Sequence, residues 1–248
     1  MWYAIMWGTI AASATLLGAL LVLKFAIPKR VIAFIMALGT GALIGATTYE
    51  LLEDAVKFSG FREIAIGFLG GALIFTILDI VVTRTGGHKR KRSERGNDNS
   101  SNKEDKSGSG LGIFIGTVMD TLPESAMIGM SLFSGGSVSL ALVISIFISN
   151  LPEGISSTVG LQKSGYSKKK IIFLWALVVF FSALSSWGGA LLESASDSIK
   201  AIMSAFAGGA IIAMVASTMM PEAYKEGGPT VGFITAIGLF ISLFLHHL

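Results

Sequence analysis

Eight runs of about 20 predominantly apolar residues divide this chain of 248, near positions 3–24, 31–51, 63–83, 111–133, 137–161, 171–192, 199–220 and 229–247. About 20 apolar residues is the length of helix that crosses the hydrocarbon core of a bilayer. Inside lipid every backbone N–H and C=O must be bonded internally, so spanning segments are helices or the strands of a closed barrel. A barrel strand alternates lipid-facing and lumen-facing residues, and these runs do not alternate. The expected fold class is therefore all-α, a polytopic membrane protein of eight transmembrane helices in contact with a lipid bilayer. With 52% apolar and 14% charged residues, an ordinary soluble domain is excluded.

Basic residues orient such a bundle. One alternating set of loops holds Lys24, Lys29, Arg30, the stretch from Arg84 to Lys106, Lys163, Lys168 to Lys170 and Lys225, which is 16 of the 19 Lys and Arg residues. The positive-inside rule puts that set in the cytoplasm and both termini outside it, in the plasma or inner cell membrane. No basic region precedes the first run, so it is expected to be a retained span and not a cleaved signal. The chain then divides into spans one to three (1–84), a loop (85–110), the central spans four and five (111–162) and spans six to eight (163–248). The loop is built of Lys, Arg, Ser, Asn, Gly, Glu and Asp. It is expected to be disordered and cytoplasmic, fixing topology and binding no nucleic acid. Cysteine is absent, which excludes disulfides and thiolate metal sites.

Two internal similarities follow. A shift of 168 positions lays Gly41-Ala42, Ile44, Ala55, Lys57, Gly60 and Gly70 on Gly209-Ala210, Ile212, Ala223, Lys225, Gly228 and Gly238. Spans two and three thus repeat in spans seven and eight, and because the shift crosses an odd number of spans the copies are inverted. Inverted repeats are a transporter signature, with the substrate site near the midplane. The spacings of Gly41 with Gly45 and Gly67 with Gly71 predict close helix packing. A second shift, of 29, lays Leu122-Pro123-Glu124 on Leu151-Pro152-Glu153.

Those two elements carry the chemistry. Carboxylates at mid-span are costly in lipid and mark an ion or substrate path. On a helix Asp120 and Glu124 share a face, as do Ser149 and Glu153, and Asn150 and Glu153. A proline one residue before each Glu removes a backbone donor and loosens a carbonyl one turn earlier. Up to three carboxylates, one amide oxygen and the hydroxyls of Thr121 and Ser149 make an oxygen-rich cation site. The acidic residues closing span two, Glu50, Glu53 and Asp54, are read either as recruiting cations at the outer mouth or, at least as well, as a solvated helix end with Lys57 and Arg62 as partners. His246-His247 is read as a frayed terminus.

At these residues the chain resembles the ZIP family of divalent-metal transporters, of the bacterial or archaeal type. Asn150-Leu151-Pro152-Glu153-Gly154 is similar to the fifth-span motif N-x-P-E-G. The fourth-span motif H-N-x-P-E-G is matched at Pro123 and Glu124, while Asp120 and Thr121 stand in place of its His and Asn. Met220-Pro221-Glu222-Ala223 resembles the P-E-A segment of span seven, and Ser186 stands where many members carry a further Glu in span six. The resemblance implies a 3+2+3 arrangement in which spans one, four, five and six form a moving unit. Spans two, three, seven and eight then form a scaffold able to homodimerise. It also implies import toward the cytoplasm, Glu124 and Glu153 as core ligands, and Glu222 as an exit ligand, with Ser186 at the path.

The three His residues, His88, His246 and His247, lie outside the membrane core. The expected function is transport of one divalent cation held by Asp120, Glu124, Asn150 and Glu153. That all-oxygen set favours harder ions such as Mn²⁺, Mg²⁺, Ca²⁺ or Fe²⁺ over zinc. No cofactor is expected, and no enzymatic activity, since the spans hold no H-E-x-x-H and no Ser/His pair. The rival readings are a proton-coupled carrier of a non-metal solute and a metal-binding membrane protein that does not transport.

Overall fold

The computed structural model describes residues 2–84, 103–134 and 138–247. Among these residues every regular element is helical. The rods are α1 (Trp2–Lys24), α2 (Lys29–Phe58), α3 (Phe61–Arg84), α4 (Lys103–Met130), α5 (Leu140–Lys163), α6 (Lys168–Leu191), α7 (Asp197–Gly227) and α8 (Thr230–His246). Seven are long and apolar enough to cross a membrane, and α8, at 17 residues, sits at the lower end of the spanning range. The all-α, membrane-spanning class is as expected. Helix α4 begins at Lys103, so residues 103–110 are helical where the composition had assigned loop. Lys and Glu are good helix formers, and a polar helix end tolerates them. The rest of that loop, 85–102, lies outside the described residues. Ser139 and Ser167 start α5 and α6 as N-caps, accepting from the backbone N–H of Leu142 and Lys170, as short hydroxyl residues do at helix starts.

Two rods are not α-helical throughout. Thr47–Leu52 in α2 and Val215–Met219 in α7 are π-helical. Residue 47 moved by 168 positions is residue 215, so the widened turn occupies the same place in both copies of the repeat.

The copies also pack alike. A β-carbon at Gly41 of α2 would overlap the carbonyl oxygen of Thr235 in α8, and one at Gly238 of α8 would overlap that of Leu38. In the other pair, a β-carbon at Gly209 of α7 would overlap the carbonyl of Phe68 in α3, and one at Gly71 that of Phe206. Such glycines let two backbones touch where lipid gives no hydrophobic drive to associate. Leu38 and Phe206 are 168 apart, but Gly71 and Gly238 are 167 apart, as are Phe68 and Thr235. The alignment of Gly70 with Gly238 is therefore off by one in three dimensions. A β-carbon at Gly70 meets nothing within 4 Å, because Gly70 lies one residue round the helix from the contact face.

The remaining four rods pack by the same means. Helix α1 meets α5 at Gly18 and Gly154, and α4 meets α6 at Gly129 and Gly189. Between the two groups, α2 crosses α5 at Gly39, where a β-carbon would lie 2.6 Å from the Cα of Ser149. The faces of α4 and α5 that carry Asp120, Glu124, Asn150 and Glu153 are thereby buried, while Leu111, Ile115, Leu140 and Ile144 remain exposed on their outer faces.

Candidate metal centre

Helices α4 and α5 continue through Pro123 and Pro152, each followed by its glutamate. Asp120, Glu124 and Asn150 are completely buried and Glu153 is 4% exposed. Thr121 and Ser149 are completely buried as well. All six residues singled out around the two prolines thus point into protein.

A single contact sets how the two helices align. Thr117 Oγ1 and Ser157 Oγ lie 3.1 Å apart across the α4–α5 interface. Successive spans run in opposite directions, so moving from that contact toward the prolines follows α4 upward in number and α5 downward. Four residues, about 6 Å at the helical rise, reach Thr121 on one helix and Glu153 on the other. Seven residues, about 10 Å, reach Glu124 and Asn150. The Thr117–Ser157 contact therefore holds Asp120, Thr121 and Glu153 at one depth, and Glu124 and Asn150 one turn further on.

The hydroxyl groups are committed to their own helices. Thr121 Oγ1 donates to the Thr117 carbonyl at 2.7 Å, and Ser149 Oγ to that of Ile146 at 2.9 Å, leaving lone pairs as the groups' remaining capacity. Asn150 differs: among the described residues neither its Nδ2 nor its Oδ1 has a protein hydrogen-bond partner. A buried amide in that state costs about 1–3 kcal/mol, and an amide oxygen is a ligand for hard cations. The six residues offer carboxylate, amide and hydroxyl groups, with no imidazole and no sulfur.

The two further path candidates are placed differently. Glu222, on α7, receives a hydrogen bond from Ser156 Oγ. Ser156 is three residues beyond Glu153 on α5, so Glu222 lies one helical turn from the central level, toward Lys163. Ser186 does not join the carboxylates. Its Oγ donates to the Ala4 carbonyl at 2.7 Å, and a β-carbon at Gly8 would fall 2.5 Å from the Ser186 Cβ, so this residue seals the α1–α6 contact.

Sequence reasoning passed over several polar residues. Ser185 Oγ donates to the Leu122 carbonyl at 2.7 Å, bonding α6 to the residue just before Pro123. Trp175 Nε1 donates to Thr158 Oγ1 at 2.8 Å in a fully buried contact. Thr117, Ser156 and Ser157 lie three or four residues from the named site residues, on the same helix face, and that spacing was the available signal. The frayed-end reading of His246 is corrected: its Nδ1 lies 2.9 Å from Glu50 Oε1, and its ring stacks on Tyr49. Lys57 pairs with Glu53 at 3.2 Å and with Asp54 at 3.0 Å, as expected.

An inverted-repeat bundle of apolar rods, with Asp120, Glu124 and Glu153 buried on two proline-containing central helices, defines an integral membrane protein of the polytopic, repeat-built class. A family model described as ZIP zinc transporter matches residues 86–248, and the chain belongs to the ZIP family. A putative zinc transporter of Arabidopsis thaliana is 22% identical over 224 residues, which is 88% of this chain and 34% of the relative. The chain spans about a third of the length of that curated relative.

Proposed function

We propose that this chain carries a divalent metal cation across a cell membrane, toward the cytoplasm, through a midplane site made of Asp120, Glu124, Asn150 and Glu153. The observation that carries the reading is the burial of Asp120, Glu124, Asn150 and Glu153 at adjoining depths on α4 and α5, with no Lys or Arg anywhere between Lys106 and Lys163. Members of the family move divalent metals, and buried intramembrane carboxylates mark ion paths. Glu222, one turn away through Ser156, is the next ligand on the way out. Thr121 and Ser149 line the path through their remaining lone pairs. Ser186 acts through packing.

The relative's printed name points to zinc. The ligand set of this chain points elsewhere, since its four members offer oxygen and no imidazole, and oxygen-rich sites suit Mn²⁺, Mg²⁺, Ca²⁺ or Fe²⁺ better than zinc. One ion is bound at a time, both termini face away from the cytoplasm, and α2, α3, α7 and α8 form the scaffold of a homodimer. Proteoliposome uptake of Mn²⁺ and Zn²⁺ by wild type, Glu124→Ala, Glu153→Ala and Glu222→Gln tests the reading. Expected is Mn²⁺ uptake above Zn²⁺ uptake, abolished by the two core substitutions and slowed by Glu222→Gln. Equal uptake by wild type and the core variants removes the site, and a clear zinc preference removes the selectivity. Solute transport without metal and steeply dependent on pH would favour the proton-coupled rival.

A further inference from the structure

The seam between the two helix groups runs along one face of α5. Ser149, Glu153 and Ser156 stand at i, i+4 and i+7 and share that face. At one end a β-carbon on Gly39 of α2 would lie 2.6 Å from the Ser149 Cα. At the other, two turns and about 10 Å away, the Ser156 hydroxyl donates to Glu222 Oε1 of α7. Glu153 lies between the two contacts. We propose that Ser156 is a positioning residue for transport: its hydroxyl fixes the Glu222 carboxylate against α5, so that an ion leaving Glu153 meets a ligand already turned toward it. This role rests on the transport reading and deepens it, because that reading names Glu222 as the next ligand without saying what holds it there.

The backbone of α7 does part of the work. Glu222 lies one turn beyond Thr218 and Met219, which are buried, while Met220 and Tyr224 take the exposed side. The helix therefore directs the side chain inward, and its rotatable bonds leave the carboxylate itself unfixed. Ser156 supplies the missing constraint. Serines in membrane helices ordinarily bond back to their own backbone, and on α5 Ser145, Ser149 and Ser164 each donate to a carbonyl of that helix. A hydroxyl has one proton to give, and Ser156 gives it across the seam. Its depth is set as well, since the next residue, Ser157, meets Thr117 at 3.1 Å, the contact that aligns the central ligands. A carboxylate offers about four lone-pair positions and one hydroxyl occupies one of them. Outer partners of this kind orient ligating carboxylates, and their removal costs about 10–100-fold in metal affinity or activity.

The test is the initial rate of Mn²⁺ and of Zn²⁺ uptake into proteoliposomes over a range of concentrations, for wild type, Ser156→Ala, Ser156→Thr, Glu222→Ala and Ser156→Ala/Glu222→Ala. Expected for Ser156→Ala is a maximal rate lowered about tenfold with KM unchanged or reduced, since the central ligands are intact and only the step beyond them is slowed. Ser156→Thr keeps the hydroxyl and should transport as wild type does. The double variant should be no slower than Glu222→Ala. Equilibrium unfolding of the same variants in mixed micelles should show Ser156→Ala and Glu222→Ala coupled by about threefold in the unfolding constant. Undiminished uptake by Ser156→Ala beside an active wild type overturns this role alone, as does a raised KM at full maximal rate, a Ser156→Thr as slow as Ser156→Ala, or independent effects in unfolding. A wild type that takes up neither ion overturns the transport reading and this role together.

Discussion

Gly70 and Gly71 are neighbours in α3, and the structure assigns them opposite consequences on substitution. An alanine β-carbon at Gly71 would overlap the Phe206 carbonyl of α7, whereas one at Gly70 meets nothing within 4 Å. Relief at Gly71 requires the two helices to part by more than an ångström, since a carbon–oxygen contact rests near 3.3–3.6 Å. Overpacking of this kind costs about 1–3 kcal/mol, and each weak Cα–H···O bond that the separation breaks is worth about 0.5–1 kcal/mol. Gly71→Ala should therefore destabilise by about 2–4 kcal/mol. Gly70→Ala removes only the conformational penalty of glycine in a helix and should stabilise by about 0.5–1 kcal/mol. Gly238→Ala, which meets the Leu38 carbonyl in the repeated contact, should match Gly71→Ala and not Gly70→Ala. Equilibrium unfolding of the purified protein in mixed detergent and dodecyl sulfate micelles measures all three. A costly Gly70→Ala beside a neutral Gly71→Ala would refute the packing, and with it the one-residue slip between the copies.

The α4–α5 register rests on Thr117 and Ser157, so a double-mutant cycle of Thr117→Val and Ser157→Ala should return a coupling of about 0.6 kcal/mol, and no more than about 1.7, the range for hydrogen bonds between membrane helices; zero coupling in the same unfolding assay would remove the contact. Ser186→Glu places a carboxylate where Ala4, Gly8 and Ser186 are in contact. It should unfold the α1–α6 interface, at a cost of about 3 kcal/mol or more, without creating a metal ligand. Normal thermal stability with raised zinc uptake would contradict this.

Much of the central site is legible in the sequence because its residue types are costly where they stand. A carboxylate at mid-span needs a reason, and the duplicated Leu-Pro-Glu supplies one, so Asp120, Glu124, Asn150 and Glu153 stand out from residue type and spacing. Ser186 is suggested only by family resemblance, and it lies against α1. The hydroxyls of Thr117, Ser156, Ser157 and Ser185 escape notice because serine and threonine are inexpensive in a membrane helix, where they bond back to their own carbonyls. Their cross-helix partners lie 40 to 66 residues away in sequence, beyond any local pattern.

The number of spans, their helical state and the small-residue faces follow from residue type alone, because a bilayer offers the backbone few ways to bond itself. What only the tertiary structure decided is which faces meet. The π-helical turns of α2 and α7 fall at the same repeat position, although Thr47 to Leu52 shares no residue with the aligned Val215 to Met220, so packing and not local sequence places them. The slip from 168 to 167, the Ser186 bond to Ala4 and the pairing of Glu50 with His246 are of the same kind. In water an apolar face identifies the core. In a bilayer lipid and neighbouring helix are equally apolar, so periodicity cannot choose between them, and the choice falls to steric fit at glycines and to the partners of buried polar groups.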